Sequence, residues 1–251
     1  MKPVRLLALG TFSALLLAGC GGNGGDGPQL TLPQLQGYWT GNVNGVTTPV
    51  GGATRARAVV LEDGNAWIFL HDGSQASEPL LGLATATVMA VQQTFTGTGK
   101  RYPASGASVA DITVDGGAPS GNAMTIDVSS GGATSHLAVT QDVAYNTPAT
   151  QANVVGTWHF TKAGGTITAD WIVANDGALT GTSSLGCTYS GSVRPRNATT
   201  AVYAVAVTET CTGSTKQLSG IGRLNTARTF LTFGLTTTDG EEAEAFAAQK
   251  Q

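Results

Sequence analysis

Three cysteines, Cys20, Cys187 and Cys211, are the residues of this 251-residue chain whose chemistry depends most on their surroundings. A cysteine can be covalently modified, can bind a metal as its thiolate, or can pair in a disulfide. The residues before Cys20 favour covalent modification. The strand-like segments around Cys187 and Cys211 favour pairing.

An export signal precedes the first cysteine. Lys2 and Arg5 form a short basic region, and residues 6–17 form an apolar run without a charge. Twelve residues are too few to span a bilayer, which needs about 20, but they are typical of a secretory signal. The tetrapeptide Leu17-Ala18-Gly19-Cys20 resembles the lipobox of bacterial lipoproteins at all four positions.

This resemblance implies that residues 1–19 are a signal peptide and that Cys20 receives acyl chains that anchor the protein to a membrane. An ordinary signal peptide with a chance cysteine is the alternative. Gly21 follows the cysteine where an Asp would resemble an inner-membrane retention signal. We therefore expect the cell outer membrane, at its periplasmic face or at the cell surface.

Residues 20–33 are rich in Gly and Pro and predict a flexible tether. Within them, residues 21–26 follow the pattern G-G-x-G-x-D of calcium-binding repeats. Such repeats bind calcium in stacked copies, and no second copy follows here. Calcium binding is therefore not predicted.

The two remaining cysteines are expected to pair, because exported proteins meet an oxidising compartment. Two free buried thiols are the alternative. A hairpin centred on Thr199 places Cys187 opposite Cys211 and separates a mostly apolar face from a mostly polar one, which a one-residue slip would destroy. Glu209, opposite Tyr189, is the one carboxylate on the apolar face. It either bonds Tyr189 at a barrel rim or marks a ligand site.

No motif for catalysis or cofactor binding occurs in the sequence, neither a nucleophile elbow nor a phosphate-binding loop. The histidines lie far apart and lack the spacing of a metal site: His71, His136 and His159. Five Asp-Gly dipeptides predict turns rather than catalytic carboxylates: they begin at Asp63, Asp72, Asp115, Asp176 and Asp239. We therefore expect no enzyme activity, cofactor or metal.

Two basic pairs and four tryptophans are the other candidate binding residues. The pairs Arg55/Arg57 and Arg194/Arg196 each lie on one side of a strand and favour a solvated face, with a patch for an anionic sugar or lipid head group as the alternative. The tryptophans favour core or barrel-plug positions over a platform that stacks on sugars.

Composition restricts both the fold and the partners. Removal of residues 1–19 takes away two basic residues and leaves 11 basic against 16 acidic residues, a net charge of −5. This balance argues against nucleic-acid binding. Only 12% of residues are charged and 35 are Gly, and alternating Val, Thr and Ala segments predict short strands joined by turns.

The two halves resemble each other, which predicts a tandem duplication. Each begins with Gly-x-Trp, at residues 35–41 and 154–160, and continues with an Asp-Gly hairpin. Further matches are "TFTGTGKRY" with "CTYSGSVRP" and "SVADITV" with "AVYAVAV". We predict an all-β protein with similar domains at residues 34–145 and 154–251, each an antiparallel barrel or sandwich of seven to eight strands. The final segment, "EEAEAFAAQK", is expected to be a closing strand.

The Gly-x-Trp on a first strand is similar to that of the calycin barrels. This resemblance implies that Trp39 and Trp158 each plug one end of a barrel under an Arg from the last strand. Here Lys250 occupies the last strand of the second half, and the first half shows no clear partner. Lipid-anchored eight-stranded barrels that capture host factors share the expected architecture, which does not itself imply function.

Two functions are compatible with these features. The first is a non-catalytic, lipid-anchored envelope protein that binds a protein or glycan partner. The alternative is a carrier of a small apolar ligand inside a barrel. The barrel interior distinguishes them, because a lumen lined by small residues leaves space and a lumen filled by large residues does not.

Overall fold

A computed structural model describes residues 29–75, 78–104, 108–162 and 166–251. Cys20, the signal peptide and most of the predicted tether lie outside these residues. The described chain forms two closed antiparallel barrels of eight strands each, which confirms the all-β prediction and selects barrels over sandwiches. Within these ranges, no helix is both long enough and apolar enough to cross a membrane.

Each barrel follows an up-and-down order, in which every strand pairs with the next and the last pairs with the first. The first barrel contains β1 Gly37–Gly45, β2 Arg55–Val60, β3 Asn65–His71, β4 Leu80–Val91, β5 Thr94–Pro103, β6 Ala110–Gly117, β7 Ala123–Ser130 and β8 Ala133–Asp142. The second contains β9 Gly156–Lys162, β10 Ile167–Val173, β11 Ala178–Ser183, β12 Thr188–Pro195, β13 Val202–Cys211, β14 Ser214–Leu224, β15 Phe230–Thr237 and β16 Ala243–Lys250. The closing-strand prediction for the C-terminal segment is thus confirmed.

The Asp-Gly dipeptides explain some of the turns. Gly64, between β2 and β3, and Gly177, between β10 and β11, both have a φ of 82°, which favours glycine. The turn prediction at Asp115 is wrong, because Asp115 and Gly116 both lie inside β6. A Cβ at Gly116 would lie 2.4 Å from the Phe95 ring, so this glycine provides room for an aromatic side chain rather than a turn.

The predicted correspondence between the halves is correct at the first strand and wrong further along. Residues 94–102 lie in the fifth strand of the first barrel, whereas residues 187–195 lead into and form the fourth strand of the second. The match of "SVADITV" with "AVYAVAV" is offset in the same way. The shared aromatic-x-Gly pattern arises because close backbone contacts require glycine: a Cβ would lie 2.5 Å from the Thr87 carbonyl at Gly97 and 2.0 Å from the Ala206 carbonyl at Gly191.

A short helix closes one end of each barrel: α1 Leu32–Leu35 in the first and α2 Gln151–Val154 in the second. The indole Nε1 of Trp39 donates to the Leu35 carbonyl at 2.8 Å, and that of Trp158 donates to the Val154 carbonyl at 2.7 Å. Both tryptophans are fully buried. The expectation that they occupy core positions rather than a sugar-stacking platform is therefore confirmed. Leu30, within the predicted tether, is already buried in the first core.

The glycine of each Gly-x-Trp gives room to a side chain from the last strand. A Cβ at Gly156 would lie 3.2 Å from Cε of Lys250, whose Nζ lies 5.4 Å from the centroid of the Trp158 ring. A Cβ at Gly37 would lie 2.7 Å from Nε2 of Gln141. Gln141, opposite Trp39 in the register, is thus the partner that the sequence did not reveal in the first half.

A third apolar cluster joins the outer faces of the two barrels and is separate from their interiors. Its buried members are Tyr38, Val59, Leu61, Phe69, Leu83, Tyr145, Val202 and Ile221. Phe69 and Trp67 pack on Gly234, where a Cβ would lie 3.0 Å from the Phe69 ring. The Tyr38 hydroxyl donates to the Ala201 carbonyl at 2.7 Å. The barrels therefore share an apolar interface and leave grooves beside it.

Candidate functional site

Large side chains fill the interior of the second barrel. Phe160 stacks on Phe246 with ring centroids 4.1 Å apart, and Trp171 makes edge contacts with both rings and with Phe233. Trp171 is almost fully buried. Packed aromatic side chains occupy this lumen where a carrier would need space for its ligand.

The interior of the first barrel is also packed. A cavity lined by Leu35, Ile68, Phe95 and Met124, among others, has a volume of only about 10 Å³. A single water molecule needs about this much space. Ligand sites usually have volumes of about 300–1,000 Å³, so this cavity is far too small for a metabolite.

The cysteine-linked rim of the second barrel has the predicted register. Cys187 and Cys211 form a disulfide with Cα atoms 4.2 Å apart, and Tyr189 pairs with Glu209 in the β12–β13 register. The Tyr189 hydroxyl donates to Glu209 Oε1 at 2.7 Å. Lys162 Nζ lies 3.2 Å from the same carboxylate oxygen. Glu209 therefore bonds Tyr189 at the rim, one of the two roles expected for it.

Lys162 is the cation that both carboxylates of this rim cluster contact, Glu209 and Glu244. Burial alone would raise the pKa of Glu209, but the Tyr189 hydroxyl and the Lys162 ammonium outweigh it and lower the pKa below its usual value. Lys162 also contacts Glu244 at 2.5 Å. The two cysteine sulfurs lie near Glu209, but in a disulfide they offer no thiolate to a metal. These contacts connect β9, β12, β13 and β16 at the barrel rim.

A groove between the two barrels has the more distinctive chemistry. It has a volume of about 460 Å³, within the range of ligand sites. Residues of both barrels line it, and five of them define what we call the basic groove: Arg55, Arg57, His71, Arg223 and Arg228. Glu78 and Asp142 pair with three of these arginines. The basic groove thus has a local excess of positive charge, although the whole chain has a net charge of −3.

Strand alternation positions the first-barrel side of the basic groove. Arg55 and Arg57 lie two apart on β2 and share one face. Arg55 pairs with His71 of β3 and Arg57 pairs with Phe69, so these side chains form two adjacent rows. Glu78 contacts Arg55 at 3.0 Å and Arg57 at 2.6 Å and fixes both guanidinium groups. The two side chains remain 36% and 40% exposed, as expected for a solvated face, and both are ion-paired with Glu78.

The second barrel supplies the opposite side. The Arg223 guanidinium carbon lies 4.1 Å from the centroid of the Tyr38 ring, and Nη2 lies 2.8 Å from Asp142 Oδ2. Both partners belong to the first barrel, so this contact also fixes the barrels relative to each other. Arg228 lies at the exposed β14–β15 turn with a φ of 57°, at the edge of the groove.

Two buried nitrogen atoms of the basic groove have no hydrogen-bond partner among the residues that the structure describes: Nε2 of His71 and Nε of Arg55. His71 is only 7% exposed. Its Nδ1 lies 2.9 Å from the Glu78 carbonyl oxygen and must be the donor, because a carbonyl only accepts. Burial lowers the pKa of His71, aided by the nearby arginines, so the ring is neutral at pH 7 and Nε2 is an acceptor. Each unpartnered group costs about 1–3 kcal/mol.

A second groove on another side of the barrel interface has a volume of about 610 Å³. Its two cationic side chains are already paired: Lys100 with Glu241, and Arg196 with Glu62 and Asp63. These pairs join one barrel to the other. Trp67 also lines this groove, the one tryptophan that is neither a plug nor in a barrel interior.

The other histidines are paired with carboxylates on exposed strand faces. His136 Nδ1 lies 2.7 Å from Asp127, and His159 Nδ1 lies 2.8 Å from Asp170. His71 contacts neither of these pairs. The structure therefore brings no two of the three histidines into one site.

No protein-family model, curated protein or solved structure was found to match the chain. The chemistry of the basic groove therefore rests on its own residues. Sequence patterns identified the Arg55/Arg57 pair. They missed His71 and Arg223 as members of the same site, because only the docking of the two barrels brings β2 and β3 next to β14.

Proposed function

We propose that this protein is a non-catalytic binding module of the cell envelope, lipid-anchored to the outer membrane through acyl chains on Cys20. It binds a protein or glycan partner in the basic groove. The observation that supports this most is the contrast between two packed barrel interiors and an open groove of about 460 Å³ with an excess of positive charge.

The same contrast argues against the alternative, a carrier of a small apolar ligand. The second lumen is occupied by aromatic side chains, and the cavity in the first is no larger than a water molecule. A carrier would need the barrel interiors to reorganise. Closely packed interiors resist this because repacking large side chains is costly.

Native mass spectrometry of the detergent-solubilised chain tests the choice between these functions. If the protein is a binding module, its mass after removal of the detergent micelle should show no bound apolar ligand. In a glycan-array or partner-binding assay, Arg57→Gln should lose binding, whereas the control Arg194→Gln, on an exposed position of β12, should retain it. An apolar molecule that copurifies in stoichiometric amount would refute the binding module.

The anchor has its own test. Cys20→Ser should abolish incorporation of a labelled fatty acid and release the protein from the outer-membrane fraction, because the acylated sulfur would be absent. If the Cys20→Ser protein is still processed and still fractionates with the outer membrane, the lipid anchor is wrong.

A further inference from the structure

The two unpartnered atoms of the basic groove have complementary chemistry. Nε of Arg55 is a cationic donor, and Nε2 of neutral His71 is an acceptor. Arg55 and His71 are directly opposite each other on β2 and β3, where facing residues have Cβ atoms about 4.5–5.5 Å apart. A ligand that satisfies both atoms must present an acceptor and a donor on neighbouring atoms. Buried polar groups without partners call for such an explanation.

The surrounding charge specifies the acceptor. Four arginines line the groove, and within the described part of the chain only two carboxylates pair with them. Guanidinium groups favour carboxylate and phosphate oxygens, which they bind in a fork geometry. An oxyanion therefore fits the acceptor position, and a hydroxyl group is one donor that fits the acceptor nitrogen of a neutral histidine.

We propose that the basic groove binds an acidic sugar, a ligand in which an oxyanion lies next to hydroxyl groups. The oxyanion would contact Arg55 and the exposed arginines. Nε2 of His71 lies beneath the groove surface without solvent-accessible area, so a turn of the His71 side chain would let a hydroxyl donate to it. This inference rests on the proposed binding function and names the ligand class for the same site. Hexuronates and sugar phosphates share the required chemistry.

Isothermal titration calorimetry on the full chain in detergent, at low ionic strength, distinguishes hexuronates from sugar phosphates as ligands. Four probes separate the features: glucuronate has the carboxylate and hydroxyls, glucose 6-phosphate has the phosphate and hydroxyls, sulfate has the charge alone, and glucose has the hydroxyls alone. We expect glucuronate or glucose 6-phosphate to bind and to exceed both sulfate and glucose in affinity by at least tenfold.

Variants assign the binding to the groove. Arg57→Gln should weaken the acidic sugar by roughly tenfold or more, since it removes a charged hydrogen-bond donor. His71→Phe should reduce the preference for the sugar over sulfate and leave sulfate itself unchanged. Arg228→Gln, at an exposed turn, should weaken binding without affecting the barrels. It is decisive if either of the other variants fails to fold. Arg194→Gln is the matched control and should bind like the wild type.

Sulfate binding as tight as that of the acidic sugars would overturn the proposal, because the histidine would then have no role. Tight glucose binding would overturn it as well, because charge would be irrelevant. If none of the probes binds while a protein or neutral glycan still binds in an Arg57-dependent manner, the ligand class is wrong and the binding function stands. If an apolar ligand occupies a lumen, the binding function itself fails.

Discussion

Arg223 of the second barrel stacks on Tyr38 of the first, with the guanidinium carbon 4.1 Å from the ring centroid. The Arg223 side chain is 22% exposed, and it also pairs with Asp142 at 2.8 Å. Burial raises the pKa of Tyr38, so its hydroxyl stays protonated and donates to the Ala201 carbonyl of the second barrel. One cation and one phenol thus connect the barrels beside the basic groove.

Replacing the cation tests this connection. Arg223→Met retains an apolar stem but loses the cation–π contact and the ion pair. We expect the free energy of unfolding to fall by about 1–2 kcal/mol, measured by urea denaturation. Arg194→Met, at an exposed position of β12, is the control and should change stability by less than about 0.5 kcal/mol. Equal effects of both substitutions would contradict a role in joining the barrels.

Gly234 allows the aromatic side chains of β3 to approach the second barrel. A Cβ at this position would lie 3.0 Å from Phe69 and 3.1 Å from Trp67. Gly234→Val should therefore destabilise the protein by about 1–3 kcal/mol through overpacking, and Trp67 fluorescence should change. At Gly117, at the end of β6, a Cβ would meet nothing within 4 Å, so Gly117→Val should have little effect in the same urea titration.

The Cys187–Cys211 bond closes a loop with a sequence separation of 24 residues. The chain-entropy estimate for such a loop is about 3.5 kcal/mol. We therefore expect the double variant Cys187→Ser/Cys211→Ser to lose stability of this order, measured by urea denaturation of both proteins under oxidising conditions. A loss below about 1 kcal/mol would show that the hairpin register is stable without the bond.

Glu209 makes part of the stability depend on pH. Its pKa in the folded protein is lowered, with the Tyr189 and Lys162 contacts outweighing burial. Its ionised form therefore stabilises the fold above the unfolded-state pKa of about 4.3, and this contribution disappears as the pH falls through the lower folded-state value. Glu209→Gln should cost about 2 kcal/mol at pH 7, with a difference that shrinks below about pH 4.3.

The measurement is the urea midpoint of both proteins between neutral and acidic pH. Glu241→Gln provides the control, because the Glu241 side chain is 65% exposed although it is ion-paired. Its effect on the urea midpoint should be small at every pH. A pH-independent difference between the wild type and Glu209→Gln would contradict the assignment.

Local patterns predicted the features that depend on one strand or one hairpin. The pairing of Cys187 with Cys211 and of Tyr189 with Glu209 followed from alternation, because a shift by one residue would have exposed the apolar face. The aromatic-x-Gly match failed because close strand contacts require glycine in many places. The sequence predicted only part of the basic groove. Arg223 contacts Tyr38 only after the two barrels dock through residues that are distant in sequence.

Binding of an acidic sugar in the basic groove is tested most directly by NMR on the ¹⁵N-labelled full chain during addition of glucuronate or glucose 6-phosphate. The Nε–H signals of arginine report on the basic groove, and the indole signals of Trp39, Trp158 and Trp171 report on the barrel ends and the second interior. We expect the signals of Arg55, Arg57 and Arg228 to shift and these three indole signals to remain unchanged. Shifts confined to the indoles, or produced by an apolar ligand alone, would contradict binding in the basic groove.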